Sequence, residues 1–594
     1  MFQTFEAQSS AMQGPPRLAA LRLLMAKRGV DAFLVPRSDA HQGEYVAARD
    51  ARLEWLTGFS GSAGFCVVLQ HAAGVFVDGR YRVQVRSEIA DVYTVVHWPE
   101  VQLAQWLKEQ MPHGGTLAYD PWLHTVDEIS GLRKNLTTIS LLPGDNLVDM
   151  IWEAQPSAPD APFTAHPLEY AGESHAAKRA RLAADMEHKA AVITLPDSIA
   201  WLLNIRGTDI ERNPVPQAFA ILHDTGRVDL FARPGKANAI GAHLGPDVAL
   251  HDVADFLAAL TQLEGPVRID PKSCPDIVAA AMRDRHMDII EGRDPCIMPK
   301  ARKNPVEIAG AKAAHVRDGT AMVRFLAWLD AQAPKGCLTE IDVVKALEGF
   351  RIATNVLRDI SFETISGAGP HGAIVHYRVN ETTNRAVQSD ELLLVDSGGQ
   401  YDDGTTDITR TIIVGTPTEE HRCCYTRVLQ GMIAISRIRF PKGVGGQHLD
   451  ALARAPLWLA GMDYDHGTGH GVGSYLSVHE GPQGISRRSD VPLEAGMILS
   501  NEPGYYREGA FGIRIENLIV VTAAPAIPGA DAREMLCFET LTHVPLDRRL
   551  IDTALLTGAE RDWIDHYHAD TLSLLGPLLD DATNAWLTQA CAPL

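Results

Sequence analysis

Apolar residues recur along this chain in two registers, one helical and one strand-like, and the order of the two repeats. Residues 17–29, RLAALRLLMAKRG, carry leucine and methionine at helical spacing and lead into DAFLVP, a strand-like run ending at Pro36. A helical Trp-Leu segment, LEWLTGF, and two further strand-like runs, FCVVL and VFVDGRYRVQV, follow. The succession starts again at RARLAADMEHKAAVITLP, which ends at Pro196, 160 residues after Pro36, and continues through IAWLLNIRG, AFAIL and RVDLFARP. Helix alternating with strand at this spacing predicts two related α/β domains. The Pro- and Ala-rich stretch EAQPSAPDAPFTAHP, Glu153 to Pro167, reads as the linker between them.

A second break falls where Lys300, Arg302 and Lys303 precede Asn304-Pro305. Apolar residues then hold helical spacing to Leu329, and Pro305 in the first turn suits a helix start. The expected domains are therefore 1–155, 156–301 and 302–594 of the 594 residues.

Charge and cysteine content narrow the function. Lys and Arg number 54 against 74 Asp and Glu, a formal charge of −20, which argues against a protein that coats DNA or anionic lipid. The N-terminus lacks a basic start with an apolar core, and no run approaches 18 apolar residues, so neither a signal peptide nor a membrane span is expected. The eight cysteines form no C-x-x-C pair and are too sparse for a disulfide scaffold. Cys423-Cys424 reads as buried thiols on a helix, and the compartment as a reduced cytoplasm.

The chemistry concentrates in the last half. In ELLLVDSGGQYDDGTTDITRTIIV, a buried-strand run, Leu392 to Val395, delivers Asp396 into a glycine pair, and a turn at Asp402-Asp403-Gly404 leads back to Asp407. An antiparallel hairpin would face these two carboxylates across its neck, which suits a metal chelate. Taken alone, Asp at a strand end or turn is commonplace. DYDHGTGHGVGSYLSVHEGP then carries His466, His470 and His479 among glycines that disfavour a helix, so both His466 and His470 should share one side of an extended segment. The glycines do not fit G-x-G-x-x-G, which removes a dinucleotide loop. Glu502 follows in GMILSNEPGYY, and FGIRIENLIVV carries Arg514 and Glu516 on one face of a strand. A salt bridge to Arg514 is the plain alternative for Glu516. Against it stands the sum of two Asp, one His and two Glu at strand or turn positions. Four carboxylates would be offset by two divalent ions, and an oxygen-rich set with one imidazole leans towards Mn²⁺, with Co²⁺, Fe²⁺ and Zn²⁺ as alternatives.

The ordered set Asp396, Asp407, His470, Glu502, Glu516 resembles the five-ligand pattern of the pita-bread metallopeptidases. The segments SGAGPHGAIVHY, DSGGQYDDGTTDITRT, HGTGHGVGSYLSVHEGP, NEPGYY and FGIRIEN are similar to the aminopeptidase P family. SDAHQGEYVAARDARLEWLTGFSGSAGF, DGRYRVQ and IAWLLNIRGTDIERNPVPQAFAIL match its three-domain cytosolic type, and LTHVPLDRRLIDTALLTGAERDWIDHYH resembles that type's C-terminal tail. The resemblance implies an α/β (α+β) fold, with two related N-terminal α/β domains followed by a pita-bread catalytic domain. It implies cleavage of the N-terminal Xaa-Pro bond by a hydroxide bridging two metal ions. Asp396 would bind one ion, His470 and Glu502 the other, and Asp407 and Glu516 both. His376, His466 and His479 match the family's non-ligand histidines, which bind substrate or move protons. Arg80 matches a substrate-contacting arginine, and Arg514 would hold a ligand carboxylate in place. The implied assembly is a homodimer acting on peptides with proline second. A creatinase-like hydrolase would lack the ligands, a prolidase would lack the extra N-terminal domain, and a peptide-binding domain without activity need not retain the ligands.

Overall fold

The structure, a computed structural model, describes residues 1–7 and 9–594. Two compact units account for the chain, one formed by Gln8–Lys300 and one by Met1–Ala7 with Ala301–Leu594.

The unit Gln8–Lys300 holds two six-stranded sheets. In the first, Ala32–Pro36 is hydrogen-bonded antiparallel to Phe65–Leu69 and parallel to Gly115–Tyr119. In the second, Ala190–Ile193 pairs antiparallel with Phe219–His223 and parallel with Val267–Ile269. Strand order is the same in both sheets, so the repeat read in the sequence is a repeat of topology. The Trp-Leu segments are the helices Arg52–Thr57 and Pro196–Leu203. Every residue of Ala32–Pro36 and Ala190–Ile193 is buried, as expected of strands covered on both faces. Within this unit the two sheets are joined by polar contacts, including Tyr119 Oη donating to Asp276 Oδ2 at 2.6 Å and Gln217 Nε2 donating to Asp39 Oδ2 at 2.9 Å.

In the other unit, Asn304 caps the helix Pro305–Gln332 through its side chain, Glu307 closes the capping box, and Pro305 fills the first turn. This helix and Glu340–Ile352 bury Met322, Phe325, Leu326, Val343 and Leu347 against the strands Glu391–Ser397 and Ile408–Val414. Helix Glu419–Arg437 packs Val428, Leu429 and Met432 against Phe511, Ile513 and Ile515. A four-stranded sheet of Arg439–Pro441, Met535–Thr540, Asn517–Ala523 and Ile498–Asn501 completes the core. Cys424 is buried and Cys423 half-buried on helix Glu419–Arg437, and all eight cysteines are thiols. No helix among the described residues is long and apolar enough to cross a membrane.

Candidate metal centre

The strands Glu391–Ser397 and Ile408–Val414 run antiparallel with Ser397 opposite Ile408. Both are almost wholly buried, because their Leu, Ile and Val side chains face helices on one side and neighbouring strands on the other. Between them the chain makes only a short excursion, Gly399–Tyr401 paired with Gly404–Thr405 around Asp402-Asp403. Asp396, opposite Thr409, and Asp407, one residue before Ile408, therefore meet at the neck. The excursion is clamped onto helix Pro305–Gln332. Tyr401 Oη donates to Asp318 Oδ1 at 2.7 Å, and Arg317 forks onto both oxygens of Asp403 at 3.0 and 2.9 Å.

His470 enters on the short strand Gly469–His470. Gly469 is needed here, since a Cβ at this position would lie 2.0 Å from the carbonyl oxygen of Ser500. The backbone N–H of His470 donates to Ser500 Oγ at 2.9 Å, and Nδ1 donates to the carbonyl of Gly471 at 2.9 Å. That bond directs Nε2 to the carboxylates, 3.5 Å from Asp407 Oδ2 and 3.4 Å from Glu502 Oε1. Glu502 follows the strand Ile498–Asn501 and accepts a bond from Ser500 Oγ at 3.0 Å. Glu516 sits between the strands Phe511–Arg514 and Asn517–Ala523, fully buried, and accepts from Thr409 Oγ1 at 2.7 Å. Donor atoms of Asp407, His470 and Glu516 all lie within 4.8 Å of one another.

So many acids in one buried place repel each other. Burial, reinforced by the charges of Asp396 and Glu502 and opposed by His470, pushes the Asp407 carboxyl up to about 6. Burial and the charges of Asp407, Asp396 and Glu502 push Glu516 well above the carboxylate range. Burial disfavours a charged His470, but Asp407 and Glu502 outweigh it and raise the imidazolium to about 9. One oxygen each of Asp396 and Asp407 is buried without a hydrogen-bond partner. Unpaired carboxylate oxygens and a directed imidazole nitrogen fit divalent cations, which would supply the charge that the protein does not.

Arg514 pairs with Asp396, not with Glu516. Its Nη2 donates to Asp396 Oδ2 at 2.6 Å, Nε to Thr409 Oγ1 at 3.2 Å, and Nη1 to Tyr506 Oη at 2.6 Å. Burial works against its charge, yet Tyr506, Asp396 and Glu502 hold its pKa above the ordinary arginine range. Tyr506 Oη in turn donates to His466 Nε2 at 2.8 Å, while His466 Nδ1 donates to the carbonyl of Gly467 at 2.7 Å. His466 Nδ1 lies 4.0 Å from Glu502 Oε2, so His466 and His470 flank the same carboxylate. The His479 ring meets the His470 ring edge to face at 4.3 Å between centroids. His376 is half-buried in the segment after the short turn Gly369–Ala373. Arg80 belongs to the other compact unit, where its guanidinium grips Asp78 at 3.0 and 2.7 Å. Thr409, Ser500 and Tyr506 stand inside quoted motifs, TDITRT, ILSNEPGYY, yet nothing local marks these hydroxyls as partners of the site.

Comparison with known proteins agrees in class. Metallopeptidase family M24 matches residues 309–523, its C-terminal region matches 534–594, and the creatinase/prolidase N-terminal domain matches twice, at 17–151 and 154–307. Fold and acidic pocket thus define an M24 metallopeptidase preceded by two creatinase-type domains. A probable Xaa-Pro aminopeptidase P of Laccaria bicolor is 39% identical over 97% of this chain and 93% of its own length. Aminopeptidase P1 of Arabidopsis thaliana is 38% identical over 97% of this chain and 99% of its own. The X-prolyl aminopeptidase of Caenorhabditis elegans, described as a cytosolic enzyme with a di-nuclear active site, superposes with a TM-score of 0.94 at 33% identity, covering 98% of this chain and 100% of its own. The chain belongs to the aminopeptidase P family.

Proposed function

We propose that this protein is a metal-dependent Xaa-Pro aminopeptidase that releases the first residue from peptides with proline second. The carrying observation is the convergence of Asp407, His470 and Glu516 within 4.8 Å, with Glu502 and Asp396 beside them, in a chain of this family. Asp396, Asp407, His470, Glu502 and Glu516 would hold two divalent ions, with Mn²⁺ suited to four carboxylates and one imidazole. When bound, such ions polarise a peptide carbonyl and make water nucleophilic at neutral pH.

The chain's own groups do the rest. Glu502, which lies beside both His470 and His466, would take a proton from water. His376, His466 and His479 would between them hydrogen-bond the substrate carbonyl and carry a proton to the leaving proline nitrogen. His466, held between Tyr506 and Gly467, would act with Tyr506 as one hydrogen-bonded unit. Arg514 holds Asp396 in place. An Xaa-Pro bond is a tertiary amide with no N–H, so recognition must rest on the ring. Arg80 is a further candidate substrate contact. The domain limits 1–155, 156–301 and 302–594, a cytoplasmic location like that of the nematode relative, and a homodimer complete the proposal. Exposed Leu452, Trp458 and Leu459 along helix Gly446–Trp458 and its end offer an apolar face for a second copy.

The test is release of the first residue from an Arg-Pro-Pro-type peptide by Mn²⁺-loaded protein. Cleavage confined to proline-containing substrates is expected, and Asp407→Asn should abolish it while the fold survives. Activity retained by Asp407→Asn, or cleavage only of peptides without proline second, would overturn the assignment; cutting of dipeptides alone would favour a prolidase.

A further inference from the structure

The first seven residues lie within the metal-site unit, although a whole unit separates them from it in sequence. Gln3 is buried, and its side-chain amide engages both backbone groups of Thr364, accepting from the N–H at 2.8 Å and donating to the carbonyl at 3.4 Å. Glu348, 2% exposed, accepts the N–H groups of Phe2 and Gln3 at 2.5 and 3.3 Å. The Phe5 carbonyl accepts the N–H of Glu381 at 2.9 Å. Its ring belongs to a buried cluster with Ile341, Val344, Ile365, Tyr377, Val379 and Leu394, against which Ile374 and Tyr506 pack.

These partners adjoin residues of the site. Ile374, Tyr377, Val379 and Glu381 flank His376 on both sides. Tyr506 carries the bonds to His466 and Arg514. Without the segment, the Glu348 carboxylate and the Thr364 amide would be left buried without these bonds, and the Phe5 ring would leave a void under the His376 segment. Buried polar groups stripped of partners and core voids both drive local rearrangement.

We propose that residues 2–5 form an in-chain strap for the metal-site unit, with Phe5 as a positioning residue that sets the His376 segment and Tyr506. The proposal rests on the assignment of His376 to the substrate site. Phe5 is neither a proposed metal ligand nor a group assigned to the substrate, so measuring Mn²⁺ content beside activity separates its effect from metal loading.

Three proteins test it: the full-length variants Phe5→Ala and Phe5→Leu, and the chain lacking residues 2–7. Phe5→Ala should lower kcat/KM for an Xaa-Pro peptide about tenfold, falling mostly on kcat, because displacements near 1 Å cost up to about a hundredfold. Mn²⁺ content should be unchanged, and Phe5→Leu should recover most of the activity. The deletion should fall at least as far and regain activity when the peptide MFQTFEA is added in trans. Hydrogen–deuterium exchange over residues 374–381 should quicken in Phe5→Ala. Activity and exchange within twofold of the unaltered chain, or activity falling only in proportion to lost Mn²⁺, would overturn the strap. Should the deletion fail to fold, Phe5→Ala against Phe5→Leu decides. An unaltered chain that releases nothing would refute the peptidase assignment instead, and the exchange comparison would still judge the strap.

Discussion

Thr409 meets a part of the site that lies more than 100 residues away in sequence. Its hydroxyl donates to Glu516 Oε2 at 2.7 Å and accepts from Arg514 Nε at 3.2 Å. Thr409→Val preserves shape and removes only that hydroxyl. A hydrogen bond to a charged group contributes about 1.5–3 kcal/mol, and about 1.4 kcal/mol is one decade in a binding constant. The substitution should therefore weaken Mn²⁺ binding about ten- to a hundredfold, the range seen when partners of metal ligands are removed. The electrostatics act in the same direction. Burial and neighbouring carboxylates already push Glu516 well above the carboxylate range, and the Thr409 bond opposes that rise. Losing it leaves a more tightly held proton for the metal to displace.

A second effect runs alongside. Arg514 Nε would be buried without its acceptor, which costs about 1–3 kcal/mol of stability. Titration calorimetry with dialysed protein reads the affinity, and melting of the metal-free protein reads the stability, so the two are measured separately. Thr409→Ser, which keeps the hydroxyl, should bind Mn²⁺ like the unaltered chain. Affinity within threefold in Thr409→Val would refute the idea that this hydroxyl holds a metal ligand.

Other expectations follow from the same geometry. Because His470 holds a proton up to about 9 and Asp407 one up to about 6, cations must expel protons to enter. Mn²⁺ affinity should rise from pH 6 to pH 8, with proton release visible in buffers of different ionisation enthalpy; a flat profile would contradict it. Buried His568, whose Nε2 accepts the Leu546 N–H at 3.1 Å, is depressed by burial and by Arg548 and Arg410 from 6.5 to about 4. A depressed histidine binds its proton more weakly when folded, so its contribution is complete above pH 6.5 and is lost as pH falls towards 4. About 3 kcal/mol is at stake, and His568→Gln should flatten urea-melt stability across that window. Trp458→Glu, on the exposed apolar face, should halve the mass seen by sedimentation if a second copy covers that face. An unchanged dimer would place the interface elsewhere.

How much of this was written locally in the sequence differs between ligands and their supports. Asp396, Asp407 and His470 were legible as candidates only together, since an Asp at a strand end or turn is commonplace and it is the set of acids with an imidazole among glycines that stands out. The repeat of the two N-terminal sheets was legible for a similar reason, since periodicity is a property of neighbours along the chain. Arg514 shows where such reading stops. Two residues from Glu516, on what reads as one strand face, it looks like that residue's salt-bridge partner. The strand is in fact interrupted at Ile515-Glu516. Phe511–Arg514 pairs with Gly504–Arg507, whereas Asn517–Ala523 pairs with Ile498–Asn501 and Met535–Thr540. The rule that residues two apart share a face requires an unbroken strand, and the break frees Arg514 for Asp396, 118 positions away. Glu516 is left to a threonine 107 positions away. Phe5 and Gln3 lie further still from their partners, and an apolar residue and an amide near a terminus carry no local mark of a distant seat. Chemistry that acts through the residue's own type could be read from the chain, while chemistry that acts through a partner had to wait for the fold.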